Sequence, residues 1–323
     1  MISIKHIELN IGKACNNRCI FCMSGNSRPD MLKLADLSYV KNKLEYYAKQ
    51  GFNSVGYLGG DISIHPKIID IISYSKELGF KSINVITNGM LFSNYEYAYQ
   101  IVDAGVTRIN ISIHSHISET EDYITKIPGG LERKLKAIKN FQKLQKDGTL
   151  KSNISINIVL NKLNLEKILD TVLFYYKKGI NDIRINFIRL SDSDGLIKGW
   201  EELAISYTDF LPYLKKLIYI SIKYNIRITF DTVPPCIFYK IGKKNTDSLV
   251  KRFLGEQFDI INQIDHVNID DEKERFKWKY RRLNILKTKK KECKKCKYND
   301  ICEGVWKEYK QIYSLSEINP ITN

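Results

Sequence analysis

Residues 4–22 read IKHIELNIGKACNNRCIFC, and the reading of this stretch decides the fold. Ile4–Ile11 alternates apolar and polar side chains, the period of a β-strand. The chain then enters a loop that carries Cys15, Cys19 and Cys22 in C-x3-C-x2-C spacing. Outward from this stretch the same unit recurs, a short β-branched run followed by an amphipathic segment. Ser54–Leu58, Ser82–Ile86, Arg108–Ile113, Ile154–Leu160 and Asp182–Ile188 read as strands. Leu37–Lys49, Lys67–Leu78, Tyr95–Ala104, Leu131–Lys146, Leu165–Lys178 and Thr208–Tyr224 read as helices. Six such units predict an α/β chain with a parallel sheet and right-handed crossovers. Either a partial barrel or an open doubly wound sheet suits that count, and in both the chemistry belongs at the carboxyl ends of the strands.

The rest of the composition narrows the class. A chain of 323 residues, 43% hydrophobic and 27% charged, is long enough for one large domain and a smaller one, and excludes a disordered or fibrous protein. Lys5 and Glu8 interrupt the start, so no signal peptide is expected; Lys215, Lys216, Lys223 and Arg227 break the most apolar later segment, so no membrane span is expected. A cytoplasmic, reducing location follows as the expectation, in which seven cysteines serve as metal ligands rather than disulfides. The pattern of units fails after Asp231, where Pro234-Pro235 breaks the chain. This predicts a first domain over 1–228 and a second over 229–323. Net charge is +15, and Phe276–Lys297 holds eleven Lys/Arg against one acid, Glu292. Such a run is ordinarily a solvated face; an acidic peptide, RNA or a buried anion are the sharper alternatives.

Three thiolates within eight residues can wrap one metal centre, and soft sulfur selects zinc or iron–sulfur. A structural zinc takes four ligands and this loop offers three. A [4Fe–4S] cube on three thiolates leaves one iron open to bind a substrate. Four cysteines remain: Cys293, Cys296 and Cys302 in C-x2-C-x5-C spacing beside the basic run, and Cys236 after the paired prolines. Four thiolates complete either a second cluster or a zinc site.

The three-cysteine spacing, with Phe21 before the third cysteine and the loop after the first strand, resembles the radical S-adenosylmethionine superfamily. Further segments match at successive strand ends. Leu58-Gly59-Gly60-Asp61-Ile62, followed by Ser63-Ile64-His65-Pro66, resembles the family's Gly-Gly-Glu-Pro segment, which binds the amino group of the cofactor's methionine moiety; Asp61 stands for Glu and Ile62 for Pro. Thr87-Asn88-Gly89 and Asn110-Ile-Ser112-Ile-His114-Ser115 are also similar, as is Glu121-Asp122…Gly129-Gly130, the loop into the next helix.

The resemblance covers roughly residues 4–225 and implies a partial (β/α)6 TIM-type barrel. Within it Phe21, Gly59, Gly60, Asp61, Asn88, Ser112 and Asn157 would contact S-adenosylmethionine, and Cys15, Cys19 and Cys22 would hold a [4Fe–4S] cluster. One electron from that cluster cleaves the cofactor to a 5′-deoxyadenosyl radical, which removes a hydrogen atom from the substrate. His114, Arg184 and Arg189 are candidates to face the substrate, with Asn186 a further polar residue on the sixth strand. The cysteines at 236, 293, 296 and 302, with Gly304, Trp306, Tyr309, Glu317 and Pro320, resemble a Twitch-type extension with one auxiliary [4Fe–4S] cluster.

The expected partners are a peptide or small-molecule substrate and an external electron donor of flavodoxin or ferredoxin type, without membrane or nucleic acid. Modification of a ribosomally made peptide, by cross-link or oxidation, is the leading reading. Any leader is then read by the barrel, the C-terminal domain or a separate protein, because the first strand starts at Ile4. Dehydrogenation or rearrangement of a sugar or other small molecule is the alternative. A non-enzymatic zinc protein that binds RNA through the basic segment, with Phe276, Trp278 and Tyr280 stacking on bases, is the alternative of another class. Full use of the cysteines as ligands leaves none to return a hydrogen atom, which disfavours epimerisation unless Cys236 is free.

Overall fold

In a computed structural model the chain is described over residues 5–22, 34–190, 200–259, 265–267 and 275–322. Ile4 of the predicted first strand and the side chains of Phe276, Lys277, Trp278 and Lys279 lie outside the described set. The chain divides into two compact units, 1–156 with 263–277, and 157–262 with 278–323.

The first unit runs β1 (His6–Asn10), α1 (Leu37–Lys49), β2 (Ser54–Leu58), α2 (Ile68–Glu77), β3 (Ser82–Thr87), α3 (Tyr95–Asp103), β4 (Arg108–Ser112), α4 (Ser118–Thr125) and α5 (Gly130–Lys146). Strands β1 to β4 pair in parallel in chain order, with Glu8, Gly56, Asn84 and Arg108 in one register row. Alternation decides which face is which. Ile7 and Leu9, Ile83 and Val85, and Ile109 and Ile111 are buried on one side. Helices α1, α2, α3 and α5 pack side by side in that order. Glu8, Asn10, Asn84, Asn110 and Ser112 occupy the other face and are half-buried. A parallel sheet covered on both faces reads as continuous apolar runs. A polar second face is therefore one that lines a ligand space.

The second unit runs β5 (Ile154–Leu160, which begins in the first), α6 (Lys162–Leu165), α7 (Ile168–Lys177), β6 (Asp182–Phe187), α8 (Trp200–Leu203), α9 (Tyr207–Lys223), β7 (Arg227–Asp231), α10 (Pro235–Tyr239) and α11 (Thr246–Asp259). Helix α9 starts on a capping box, in which Ser206 Oγ accepts from the Asp209 amide at 2.9 Å. Two short strands, β8 (Asp265–Val267) and β9 (Arg275–Lys277), return to the first unit, where β8 pairs in parallel with β1. The remainder of the second unit is α12 (Trp278–Arg281), β10 (Lys287–Thr288), β11 (Val305–Trp306) and α13 (Lys307–Tyr313). Its aromatic core joins Phe187, Tyr207, Phe210, Phe230, Phe238, Phe253 and Tyr309.

Two expectations change. The sequence predicts six strand units ending at Tyr224, yet β7 adds another strand, parallel to β6 with Ile183 opposite Ile228 and Ile185 opposite Phe230. Its five residues bury Ile228, Thr229 and Phe230 beside Pro234-Pro235 and begin on exposed Arg227, so the segment reads as linker. The expected boundary at 228/229 falls inside this strand. Beyond Asp231, where no clean periodicity is visible, the chain forms α10 and α11.

Candidate functional site

The loop after β1 is fixed before any ligand is considered. Gly60 N–H donates to Gly12 O at 2.8 Å and Asp61 N–H to Ala14 O at 2.7 Å, so the end of β2 runs against the entry to the cysteine loop. Only glycine permits the approach: a Cβ on Gly59 would meet Gly12 O at 2.2 Å, and one on Gly60 would meet Ala14 O at 2.1 Å. On the far side, Arg18 N–H donates to Thr125 O and Ile20 N–H to Ile124 O, which pins the loop to the end of α4. Amide donors face the sulfurs. Asn17 N–H reaches Cys15 Sγ at 3.4 Å, Asn17 Nδ2 reaches Cys19 Sγ at 3.8 Å, and Asn88 Nδ2 reaches Cys15 Sγ at 3.8 Å. Burial pushes the Cys15 thiol up to about 11 and Cys19 to about 12. Burial disfavours the thiolate form of both, which a bound metal would restore, and the donor set, three soft ligands with N–H groups aimed at two of them, fits an iron–sulfur cluster.

Asp61 is 3% exposed, and its carboxylate is fully engaged within the fold. It accepts from the Ser63 amide at 2.9 Å, the Ser63 hydroxyl, Thr87 Oγ1 at 2.9 Å and the Asn88 amide at 2.5 Å. Burial still pushes its pKa above the ordinary carboxylate value. Asp61 thus staples the ends of β2 and β3 and aims Asn88, whose Nδ2 also donates to Asn16 Oδ1 at 2.5 Å. His65 of the same segment is structural, with Nε2 2.8 Å from Ala35 O.

At the end of β4 lies an ion pair the sequence reading did not single out. Lys134 and Glu121 are completely buried, with Nζ to Oε1 at 2.6 Å. Lys134 Nζ also donates to Ser112 O at 2.9 Å, and Glu121 Oε2 accepts from the amides of His114 and Ser115 at 2.7 and 2.8 Å. Burial alone would raise the Glu121 pKa; the Lys134 ammonium, His114 and the hydrogen bonds the carboxylate accepts together outweigh it and hold it below the usual range. A signal was available. Lys134 falls at helical spacing among Leu131, Ala137, Ile138 and Phe141, on the buried side of α5. His114 packs edge-on against Phe21, with centroids 4.9 Å apart, and burial lowers its pKa to about 4, so it is neutral at ordinary pH.

In the second unit Asn157 Oδ1 accepts from Asn186 Nδ2 at 2.7 Å. Arg184 is half-buried and contributes to holding Asp231 well below the carboxylate range. Arg189 is committed elsewhere. It pairs with Glu308 at 3.2 Å and lies over Trp306 at 5.2 Å, so it ties β6 to the tail. Cys236, Cys293, Cys296 and Cys302 line one pocket, together with Pro234, Pro235, Asn319 and Pro320. Cys236 is buried and its thiol is pushed up to about 12, first by burial and then by Cys302. Backbone amides again face sulfur, Gly304 N–H to Cys302 at 3.3 Å and Ile321 N–H to Cys296 at 3.3 Å. No three His, Cys, Asp or Glu side chains among the described residues gather tightly enough for a single metal ion. A pocket lined by all four thiols fits a cluster that spreads its ligands over four corners.

A family model described as "Radical SAM superfamily" matches residues 9–175, more than half of the chain. The chain belongs to the radical SAM superfamily. It is therefore an enzyme that uses S-adenosylmethionine and a [4Fe–4S] cluster, and the non-enzymatic RNA-binding alternative is overturned. A protein described as probable GTP 3',8-cyclase from Saccharolobus islandicus is 27% identical over 227 residues, 69% of this chain and 68% of that one. One of the same description from Sulfolobus acidocaldarius is 28% identical over 183 residues, 56% of this chain and 55% of that one. The structure of Streptococcus suis SuiB bound to S-adenosylmethionine aligns at TM-score 0.66 and 15% identity over 94% of this chain and 73% of that one. Native anSMEcpe with bound AdoMet aligns at TM-score 0.63 and 16% identity over 93% and 89%. These likenesses show the fold, an α/β arrangement with seven parallel strands of the radical SAM type.

The matched region of this radical SAM protein contains Cys15, Cys19, Cys22, Gly59, Gly60, Asp61, Asn88, Ser112, His114 and Asn157; Arg184, Arg189 and the other four cysteines lie beyond it. No helix among the described residues is long and apolar enough to cross a membrane.

Proposed function

We propose that this radical SAM enzyme carries two [4Fe–4S] clusters and modifies a ribosomally made peptide by cross-linking or oxidation. The first cluster is held by Cys15, Cys19 and Cys22. The second is held by Cys236, Cys293, Cys296 and Cys302 in a Twitch-like domain over roughly residues 229–323. The convergence of the four remaining cysteines on one pocket carries the reading. When bound, S-adenosylmethionine and the reduced first cluster supply a 5′-deoxyadenosyl radical that takes a hydrogen atom from an unactivated C–H. The chain's own residues position and enclose. Asn17 and Asn88 direct N–H groups at the loop sulfurs, the Gly59–Asp61 main chain flanks the loop, and Ser112 presents a polar side chain to the cofactor. His114, neutral and packed on Phe21, stands toward the substrate. Arg189, held by Glu308, is better suited to positioning the tail.

Engagement of Cys236 as a ligand leaves no thiol to return a hydrogen atom, which favours net oxidation over epimerisation. A peptide substrate is supported by the likeness, across nearly the whole chain, to SuiB, crystallised with its precursor peptide SuiA. The relatives described as GTP 3',8-cyclases favour a second reading, a nucleotide or other small molecule. Thiolate ligands and an external one-electron donor both suit the cytoplasm.

The test is direct. Anaerobically purified protein should be brown, hold about 8 Fe per chain, and release 5′-deoxyadenosine on reduction with S-adenosylmethionine. A peptide encoded beside the gene should then lose two hydrogens by mass spectrometry. Colourless protein with stoichiometric zinc sinks the cluster reading, and turnover of GTP with inert peptides replaces the peptide with the nucleotide.

A further inference from the structure

The basic run that carries most of the net charge resolves into two kinds of cation. Most described members are tied down. Arg282 pairs with Asp231 and Glu303, both at 2.6 Å, and Lys287 pairs with Glu303 at 2.7 Å. Lys289 donates to Asn299 O at 2.7 Å, Lys290 to Ser316 O at 3.4 Å, and Lys297 to Asp247 at 2.6 Å. Three differ. The side chains of Lys291, Lys294 and Lys295 are exposed and make no ion pair or hydrogen bond among the described residues, and all three sit on the single 3-10 turn Lys291–Lys295. That turn holds buried Cys293, and the link from Cys293 to Cys296 consists of Lys294 and Lys295 themselves. One acid, exposed Glu292, shares the turn. Three ammonium groups against one carboxylate are thus presented on the turn that holds Cys293, a residue lining the cysteine pocket. An exposed patch of one sign attracts a partner of the opposite sign, and such patches govern association rate more than affinity.

We propose that the Lys291–Lys295 turn is the docking surface for an acidic one-electron carrier protein. The inference rests on the auxiliary-cluster reading. The occupant follows from place as well as charge. A leader peptide gains nothing from contact with the ligand turn, whereas a carrier must bring its redox centre close to the cluster it serves. Arg282, Lys287 and Lys297 of the run are already neutralised by Asp231, Glu303 and Asp247 and do not compete for it.

The measurement is binding of purified flavodoxin and ferredoxin to the anaerobic holoenzyme by biolayer interferometry across a salt series. The K291E/K294E/K295E variant should lose about tenfold or more in association rate at low salt, with a flatter salt dependence. K215E/K216E, on exposed α9, should bind as the parent does. Iron content of each protein is counted in parallel: about 4 Fe in the parent defeats the auxiliary cluster itself, whereas about 8 Fe with carrier binding unchanged in the triple variant defeats only the docking surface. Unchanged carrier binding together with lost binding of an acidic peptide would assign the turn to a leader instead.

Discussion

Cys15, Cys19 and Cys22 lie within eight residues of one loop, while Cys236 is separated from Cys293, Cys296 and Cys302 by α11, β8, β9, α12 and β10. The first set is placed by main chain: the glycine crossing at Gly59-Gly60 on one side and the carbonyls of Ile124 and Thr125 on the other. The second is placed by tertiary packing, with Tyr309 and Glu317 fastening the tail to the start of α9, where Glu317 accepts from the Thr208 amide at 2.6 Å. A carboxylate there also faces the positive end of the helix. A local loop is shaped whether or not its metal is bound; an assembled pocket depends on the unit around it.

The comparison breaks first at the ligands. Cys19→Ala should abolish 5′-deoxyadenosine release and leave about 4 Fe per chain, read by chromatography and iron assay. Cys302→Ala should also leave about 4 Fe but keep cofactor cleavage while substrate conversion falls about tenfold or more. If Cys302→Ala instead silences cofactor cleavage, the two sites are not separate. Next comes the buried pair. Lys134→Met strands the Glu121 carboxylate and should cost about 3–5 kcal/mol in urea unfolding. Adding Glu121→Leu should recover part of that loss, and the failure of the double variant to recover any would remove the pair from the frame that holds the loop.

The smallest effect is with pH. His114 has a folded pKa of about 4, below its unfolded value of about 6.5, so the unfolded chain takes up the proton first. The neutral form contributes stability that is complete above pH 6.5 and is lost as pH falls toward 4, up to about 3 kcal/mol. The melting temperature of His114→Gln should therefore fall less steeply than the parent's between pH 7.5 and 5.5. Parallel curves would show that His114 is not buried neutral.

What could be read from the sequence follows the same division. Strand alternation and helical spacing placed β1 to β4 and helices α1, α2, α3 and α5 within a residue or two, and cysteine spacing found the loop, whereas α4 lies in a stretch read as a loop and the short strands β8 and β9 gave no signal. The strand Arg227–Asp231 hid because its five residues adjoin paired prolines, and the partners of Asp61 hid because Thr87 and Asn88 stand 26 and 27 residues away on another strand. Cys236 carries no spacing signal of its own; only the four-ligand count suggested it. Arg189 looked like a substrate residue because nothing local reveals Glu308, which lies 119 residues on.

The glycine crossing at Gly59 and Gly60 has a consequence for assembly of the enzyme. Because the cysteine loop is bound by amide–carbonyl bonds to the chain leaving the carboxyl end of β2, much of its ordering entropy is spent during folding. Iron and sulfide then meet a loop already in shape, and cluster insertion releases protons from three thiols without having to fold the chain around them.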